Sequence, residues 1–219
     1  MATTFIQDAI EFTPILLSGA LVTVQITLSG LVLSSILGLG WALMRVSRFP
    51  ALALASKLAV NFIRGIPILV ILFYVYFVLP DVGVRLSAFQ AGTIGLGVAY
   101  SAYMSEVFRS GIEAVDLGQI EAAQSIGMRR GMIMRRVILP QAFKIALPPY
   151  GNNLIMLLKD SSQTSAITVT ELALQSKLIA ASTFKNMTVF TLGAIGYLLM
   201  SIPLIMVVSR LEKKMRVSK

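Results

Sequence analysis

From Pro14 to Met44 the chain carries no charged side chain, and that run restricts the fold more than any other feature. A helix crossing the ~30 Å hydrocarbon core of a bilayer needs about 20 mostly apolar residues. A longer run must tilt, or lie along the interface at one end. Soluble domains carry about 25% charged residues. This chain of 219 residues has 13%, with 56% hydrophobic residues and a mean hydropathy of +0.82. These values point to an all-α integral membrane protein.

Five segments qualify as spans by length and apolarity: Pro14–Met44, Leu58–Leu79, Phe89–Phe108, Ala142–Leu158 and Thr188–Ser209. The fourth is short and interrupted by Pro148, Pro149 and Gly151, so it is the least regular as a simple helix. Pro67 is expected to kink the second. No repeat or soluble linker divides the chain, so residues 1–219 read as a single transmembrane domain.

Basic residues set the sides. Arg45, Arg48 and Lys57, then Arg109, Arg129, Arg130, Arg135, Arg136 and Lys144, then Arg210, Lys213, Lys214, Arg216 and Lys219 fall on one side. Arg85, Lys159, Lys177 and Lys185 fall on the other. The positive-inside rule then places the N-terminus outside and the C-terminus in the cytoplasm. The net charge of +9 is therefore an orientation signal, and no sizeable soluble domain exists to carry nucleic acid. Without Cys or His, thiolate and imidazole metal sites and His-based catalysis are excluded. The sequence has no Gly-x-x-x-x-Gly-Lys-[Ser/Thr] loop, so any ATP chemistry must sit in a partner. No catalytic residue, metal or cofactor is expected.

The largest cytoplasmic segment is a basic insert, about residues 116–141. "GQIEAAQSI" reads as a short helix in which Ala122, Ala123 and Ile126 face one partner, while Glu121, Gln124 and Ser125 stay polar. Gly127 breaks or turns it. "MRRGMIMRRVIL" is a poorer helix, because its arginines fall on several sides.

Glu121-Ala122-Ala123, then Gly127, then Val137-x-Leu139-Pro140 resembles the EAA loop of permease subunits of binding-protein-dependent ABC importers. "VNFIRGIPILVILFYVYFVLP", "AYMSEVFRSGI", "LPPYGNNLIMLLKDSS" and "SRLEKKM" look like the polar amino acid subfamily, so the likeness covers nearly the whole chain. Val137 replaces the usual isoleucine, and "DSSQTS" stands where the family usually continues "DTSL". The resemblance implies a type I ABC importer permease fold with about five transmembrane helices and a cytoplasmic coupling helix. It implies a multi-pass subunit of a bacterial inner membrane, paired with a second permease chain, a cytoplasmic ATPase dimer and an extracytoplasmic substrate-binding protein. Glu121, Ala122, Ala123, Ile126 and Gly127 would dock on the ATPase, with Gly127 allowing close backbone approach. The cargo would be a polar L-amino acid, with basic ones slightly favoured and glutamine or glutamate open. An opine- or ectoine-like solute is the alternative cargo.

Polar residues at membrane depth need a partner or a task, because insertion of a charge costs about 2.5–3.5 kcal/mol. Glu106 either pairs with Arg109 or faces the pathway with Tyr103, one turn earlier. Asp160 ends a hydrophobic helix, and Ser161 or Ser162 could cap a new one through "TSAITVTELALQSK", leaving free N–H groups for a substrate carboxylate. Gln163 adds hydrogen-bonding capacity. Arg64 either snorkels or pairs with an acid. Two rival classes are a standalone secondary carrier and a membrane anchor that docks a cytoplasmic enzyme. The first would need ion-coupling sites or an inverted repeat, and neither is visible. The second leaves the broken fourth span and Asp160 without purpose.

Overall fold

The computed structural model describes residues 2–216, so Lys219 of the basic C-terminal group lies outside the described residues. Among the described residues there is no strand. The first helix, α1, covers Ala2–Arg45 and is 44 residues long. At about 1.5 Å per residue that is roughly 66 Å, far more than one perpendicular crossing. Buried hydroxyls are satisfied by their own helix: Thr23 Oγ1 donates to the Gly19 carbonyl at 3.1 Å and Thr27 Oγ1 to that of Thr23 at 2.7 Å. Such back-bonding lets Ser and Thr sit in an apolar helix without an orphan donor.

Helix α2 (Pro50–Arg64) begins with proline in its first turn, where a missing N–H costs nothing. The expected kinked span Leu58–Leu79 is instead two helices at 97°, α2 and the stretch Ile68–Val82. Gly65 N–H closes α2 on Asn61 and Phe62, and Pro67 then opens α3 (Ile68–Phe73) through its own carbonyl. Proline cannot donate the hydrogen bond that would carry α2 onward, so the break falls here. A π turn (Tyr74–Val78) and a 3-10 turn (Leu79–Val82) follow, ending at Gly83.

Helix α4 (Ala88–Glu113) starts at a reciprocal cap, with Gln90 N–H donating to Ser87 Oγ and Ser87 N–H to Gln90 Oε1. It packs along α1 and against α2, α3 and α7, and is the helix most enclosed by others. Its crossing with α7 is close enough that a Cβ at Gly111 would lie 2.8 Å from the Ala142 carbonyl oxygen. Helix α5 (Leu117–Ser125) and the short α6 (Arg130–Ile133) form the basic insert, and a π turn (Met134–Ile138) leads directly into α7 (Leu139–Asp160). The expected interruption at Pro148 and Pro149 is absent: α7 is one helix of 22 residues. Contacts with α4 and α9 on either side hold it together where local hydrogen bonds are missing.

A 3-10 turn (Ser161–Ile167) links α7 to α8 (Leu172–Thr183), and α9 (Asn186–Arg216) closes the bundle. One core joins Ile26, Leu72, Leu96 and Ile167; a second joins Phe12, Leu172, Ile179 and Val189; a third, in the basic insert, joins Val115, Ala123, Ile133 and Ala142. Among the described residues, by length and apolarity alone, 2 helices can cross a membrane, α1 and α9, or 3 if the bent pair of α2 and Ile68–Val82 is one span. Helices α4 and α7 are long enough but carry Gly, Ser, Tyr and Asn in place of Leu and Val. A helix surrounded by other helices need not be apolar to lipid. The lipid-type surface lies on α1 and α9, where Leu17, Leu21, Ile36, Leu198 and Leu199 are exposed.

Candidate functional site

The residues expected at the site fall into two neighbouring groups. At the end of α7, Asp160 meets the buried side chain of Tyr100 on α4, whose hydroxyl donates to Asp160 Oδ2 at 2.7 Å. Tyr100 packs on Tyr103 with ring centroids 5.7 Å apart, and the Arg64 guanidinium lies 5.7 Å from the centre of the Tyr103 ring. Arg64 at the end of α2 thus finds an aromatic face where the sequence suggested an acid or the interface. Arg64, Tyr103 and Asp160 are brought into one row, with Tyr100 as the link that sequence reasoning missed. Its signal was present in the Tyr-x-x-Tyr-x-x-Glu spacing of "YSAYMSE".

Glu106 belongs to the second group. It pairs with Arg109 at 2.6 Å, and Arg109 also reaches Glu113. The ion-pair alternative is therefore the one the structure shows. Glu106 is six positions beyond Tyr100, about 9 Å along the axis of α4 and roughly a third of a turn round it, so this ion pair is separate from the Tyr100–Asp160 pair.

The turn after Asp160 is built differently from the expectation. Ser161 Oγ donates to the Leu158 carbonyl at 2.8 Å and Ser162 Oγ to that of Lys159 at 2.8 Å. Neither caps a new helix, because each hydroxyl is committed to the end of α7. Gln163 is half-buried in the same turn. The cap of α8 is Glu171, fully buried, whose carboxylate accepts from the backbone N–H of Ala173 at 2.9 Å and of Leu174 at 2.8 Å. Tyr197 on α9 donates to it at 2.5 Å, and Thr23 on α1 lies 3.5 Å away while accepting from Leu172 N–H. The free N–H groups foreseen for a substrate carboxylate are thus occupied by a carboxylate of the chain itself. Glu171 lay in the "TVTEL" stretch, where an acid just before an apolar helical run is a cap signal. Lys177 on α8 donates to Ser165 Oγ at 3.0 Å, which ties the turn to α8.

The basic insert forms a second candidate surface. Asp116 caps α5 through Gln119 N–H, and Gln141 at the start of α7 bonds Gln119. Ala122, Ala123 and Ile126 do not share one face. Ala123 is 5% exposed and packs into the chain's own insert core, whereas Ile126 is 79% and Leu117 72% exposed. Glu121 and Ala122 are exposed with them. The divergence arises at the helix end. Gly127 N–H bonds the Gln124 carbonyl and Met128 N–H bonds that of Ala123, the two hydrogen bonds of a left-handed helix stop. Gly127 has φ +75°, and a Cβ there would meet nothing within 4 Å. Within the chain, glycine is needed for its backbone angle and not for space.

The model of the binding-protein-dependent transport system inner membrane component family matches residues 30–217. A probable glutamine ABC transporter permease of Bacillus subtilis is 42% identical over 185 residues, covering 84% of this chain and 86% of that protein. A probable amino-acid ABC transporter permease of the same organism is 41% identical over 189 residues, covering 86% and 84%. A chain from the crystal structure of an amino acid ABC transporter with histidines superposes with a TM-score of 0.90 at 36% identity, covering 95% of this chain and 97% of that one.

Proposed function

The chain belongs to the binding-protein-dependent transport system inner membrane component family, and from that premise we propose that it is the permease subunit of an ABC importer for polar L-amino acids. The observation that carries the substrate class is the hydrogen bond from the buried Tyr100 to the half-buried Asp160. It fixes a carboxylate between α4 and α7 while using only one of its acceptor positions, so the rest can receive an α-ammonium group. The polar turn with Ser162 and Gln163 lies beside it for the other polar ends of a zwitterion. A preference for basic side chains requires Glu106 as a second available carboxylate, and Arg109 already occupies it.

ATP hydrolysis takes place in a partner. Among the described residues, the exposed Leu117, Glu121, Ala122 and Ile126 give α5 an outward face for a groove on a cytoplasmic ATPase, while Ala123 anchors α5 to α7 through the insert core. A push on α5 then reaches α7, and through α7 the Asp160 end of the pathway. The distribution of Lys and Arg supports a bacterial inner membrane subunit with its N-terminus outside and its C-terminus cytoplasmic. The assembly completes with a second permease chain, identical or paralogous, an ATPase dimer and an extracytoplasmic binding protein.

The test is reconstitution with and without ATPase and binding protein. ATP-dependent uptake of a polar amino acid by the full complex, absent from the chain alone, is the expected result. Uptake by the chain alone would favour a secondary carrier, and docking without uptake a membrane anchor.

A further inference from the structure

One side of α7 carries a row of exposed residues, Ile145, Pro149, Asn152, Met156 and Lys159, at alternating spacings of four and three. That spacing is the period of a face that packs along another helix at a shallow angle. Ala142, Ala146, Ile155 and Leu158, on the other sides of α7, are already buried.

The row is not a lipid face. Leu157 lies against Gly30, at the middle of the charge-free run Pro14–Met44 of α1: a Cβ at Gly30 would sit 3.7 Å from Leu157 Cδ2. Its near neighbour Lys159 is therefore at mid-depth, and not on the outer side where its place in the sequence puts it. Lys159 is exposed and, among the described residues, has no carboxylate within ion-pair reach. A cation at the bilayer centre faces protein or water, not acyl chains. Between α7 and α9 the same face opens into a groove of about 360 Å³, lined by Asn152, Met156 and Lys159 on one wall and Ile205, Ser209 and Glu212 on the other. Glu212 turns one oxygen toward Asn152 at 3.4 Å, and its second oxygen accepts no hydrogen bond among the described residues. Side chains lean toward the N-terminus of their own helix. Because α7 and α9 run antiparallel, Lys159 and Glu212 lean toward a common level from opposite ends of the groove.

We propose that this groove receives α7 of a second, identical copy, so that Lys159 of each copy pairs with Glu212 of the other. Charge complementarity selects that occupant. The face carries one cation and one acid, unpaired with each other within the chain, and a two-fold contact satisfies both twice with no further partner. The exposed Leu17, Leu21, Leu198 and Leu199 on α1 and α9 are left for lipid. The inference rests on the reading that the assembly holds two permease chains. It adds that the second is a copy of the first, and which face they share.

The experiment co-expresses two differently tagged forms of this chain with the ATPase, one carrying Lys159→Glu and the other Glu212→Lys. Each form by itself sets like charges together, within a chain or between identical copies, whereas a mixed pair restores both contacts. Mixed pairs are expected to outnumber like pairs by about fivefold or more, against the even mixture given by wild-type chains with the same tags. A second readout leaves the charges alone. The chain has no cysteine, so Met156→Cys should form a disulfide between copies under mild oxidation, and Leu198→Cys on the lipid-type face should not. An even mixture of the charge variants, or a Met156→Cys complex that does not cross-link, overturns the proposal. If neither charge variant is recovered in a complex, the Met156→Cys readout decides. Native mass spectrometry of the wild-type complex separates the inference from the reading beneath it. One permease chain per assembly overturns the paired-permease reading itself. Assembly only with a paralogous second chain leaves that reading standing and overturns the identical copy.

Discussion

Tyr197 on α9 donates a hydrogen bond of 2.5 Å to Glu171, the residue that caps α8. Through this one carboxylate, α9, the first turn of α8 and Thr23 of α1 are joined inside the protein. The same region is tightly apposed: a Cβ at Gly19 would sit 3.0 Å from Leu172 Cα, and one at Gly193 would sit 2.7 Å from Ser176 Oγ. A carboxylate buried this completely is tolerated because three donors, the N–H groups of Ala173 and Leu174 and the Tyr197 hydroxyl, share its charge.

Replacing Glu171 with Ala should therefore strand two backbone N–H groups and the Tyr197 hydroxyl. The expected loss is about 2–4 kcal/mol of stability, seen as an earlier thermal transition of the purified complex. Glu171→Gln keeps one acceptor and should fall between. If Glu171→Ala melts with the wild type, the clamp contributes nothing.

At the pathway, Asp160→Asn should abolish uptake while the complex still assembles. Tyr100→Phe removes one hydrogen bond to the carboxylate and keeps the ring, so it should weaken substrate affinity by roughly tenfold through a raised KM. Uptake kinetics in proteoliposomes read both. Unchanged transport in Asp160→Asn would remove that residue from the pathway.

Gly127→Glu should break association with the ATPase without unfolding the spans, which co-purification and helical content together report. Gly127→Ala isolates the backbone term. With open space around the new methyl and φ at +75°, it should cost about 1 kcal/mol of local stability and reduce coupling only in part. Wild-type association in the Glu variant would rule out the docking role.

Two glycines should respond in opposite directions to the same substitution. Gly111→Ala brings a Cβ within 2.8 Å of the Ala142 backbone oxygen, forcing α4 and α7 apart at about 1–3 kcal/mol. Gly40→Ala meets nothing within 4 Å inside α1 and should gain up to about 1 kcal/mol from helix propensity. Thermal unfolding of both variants under one detergent condition measures the contrast. A stabilised Gly111→Ala would mean the helix crossing is looser than described.

Much of the architecture was legible because it is local. The charge-free run of α1, the break near Pro67, the short helix over "GQIEAAQS" and the polar turn after Asp160 each follow from apolarity, a breaker or a cap within a few residues. Even so, Pro148 and Pro149 misled, because the missing hydrogen bonds of α7 are offset by contacts with α4 and α9 that no local pattern reveals.

The site followed the opposite rule. Sequence singled out Asp160, Glu106, Tyr103 and Arg64, since charged and aromatic residue types in apolar stretches are visible without a fold. It could not show that Tyr100 bonds Asp160 across 60 positions, that Arg109 covers Glu106 where another partner was open to it, or that Glu171 takes the cap assigned to Ser161 and Ser162. Which distant side chains meet depends on the register and rotation of helices about one another. Close approaches such as Gly111 on Ala142 set these, and they exist only when the helices are packed.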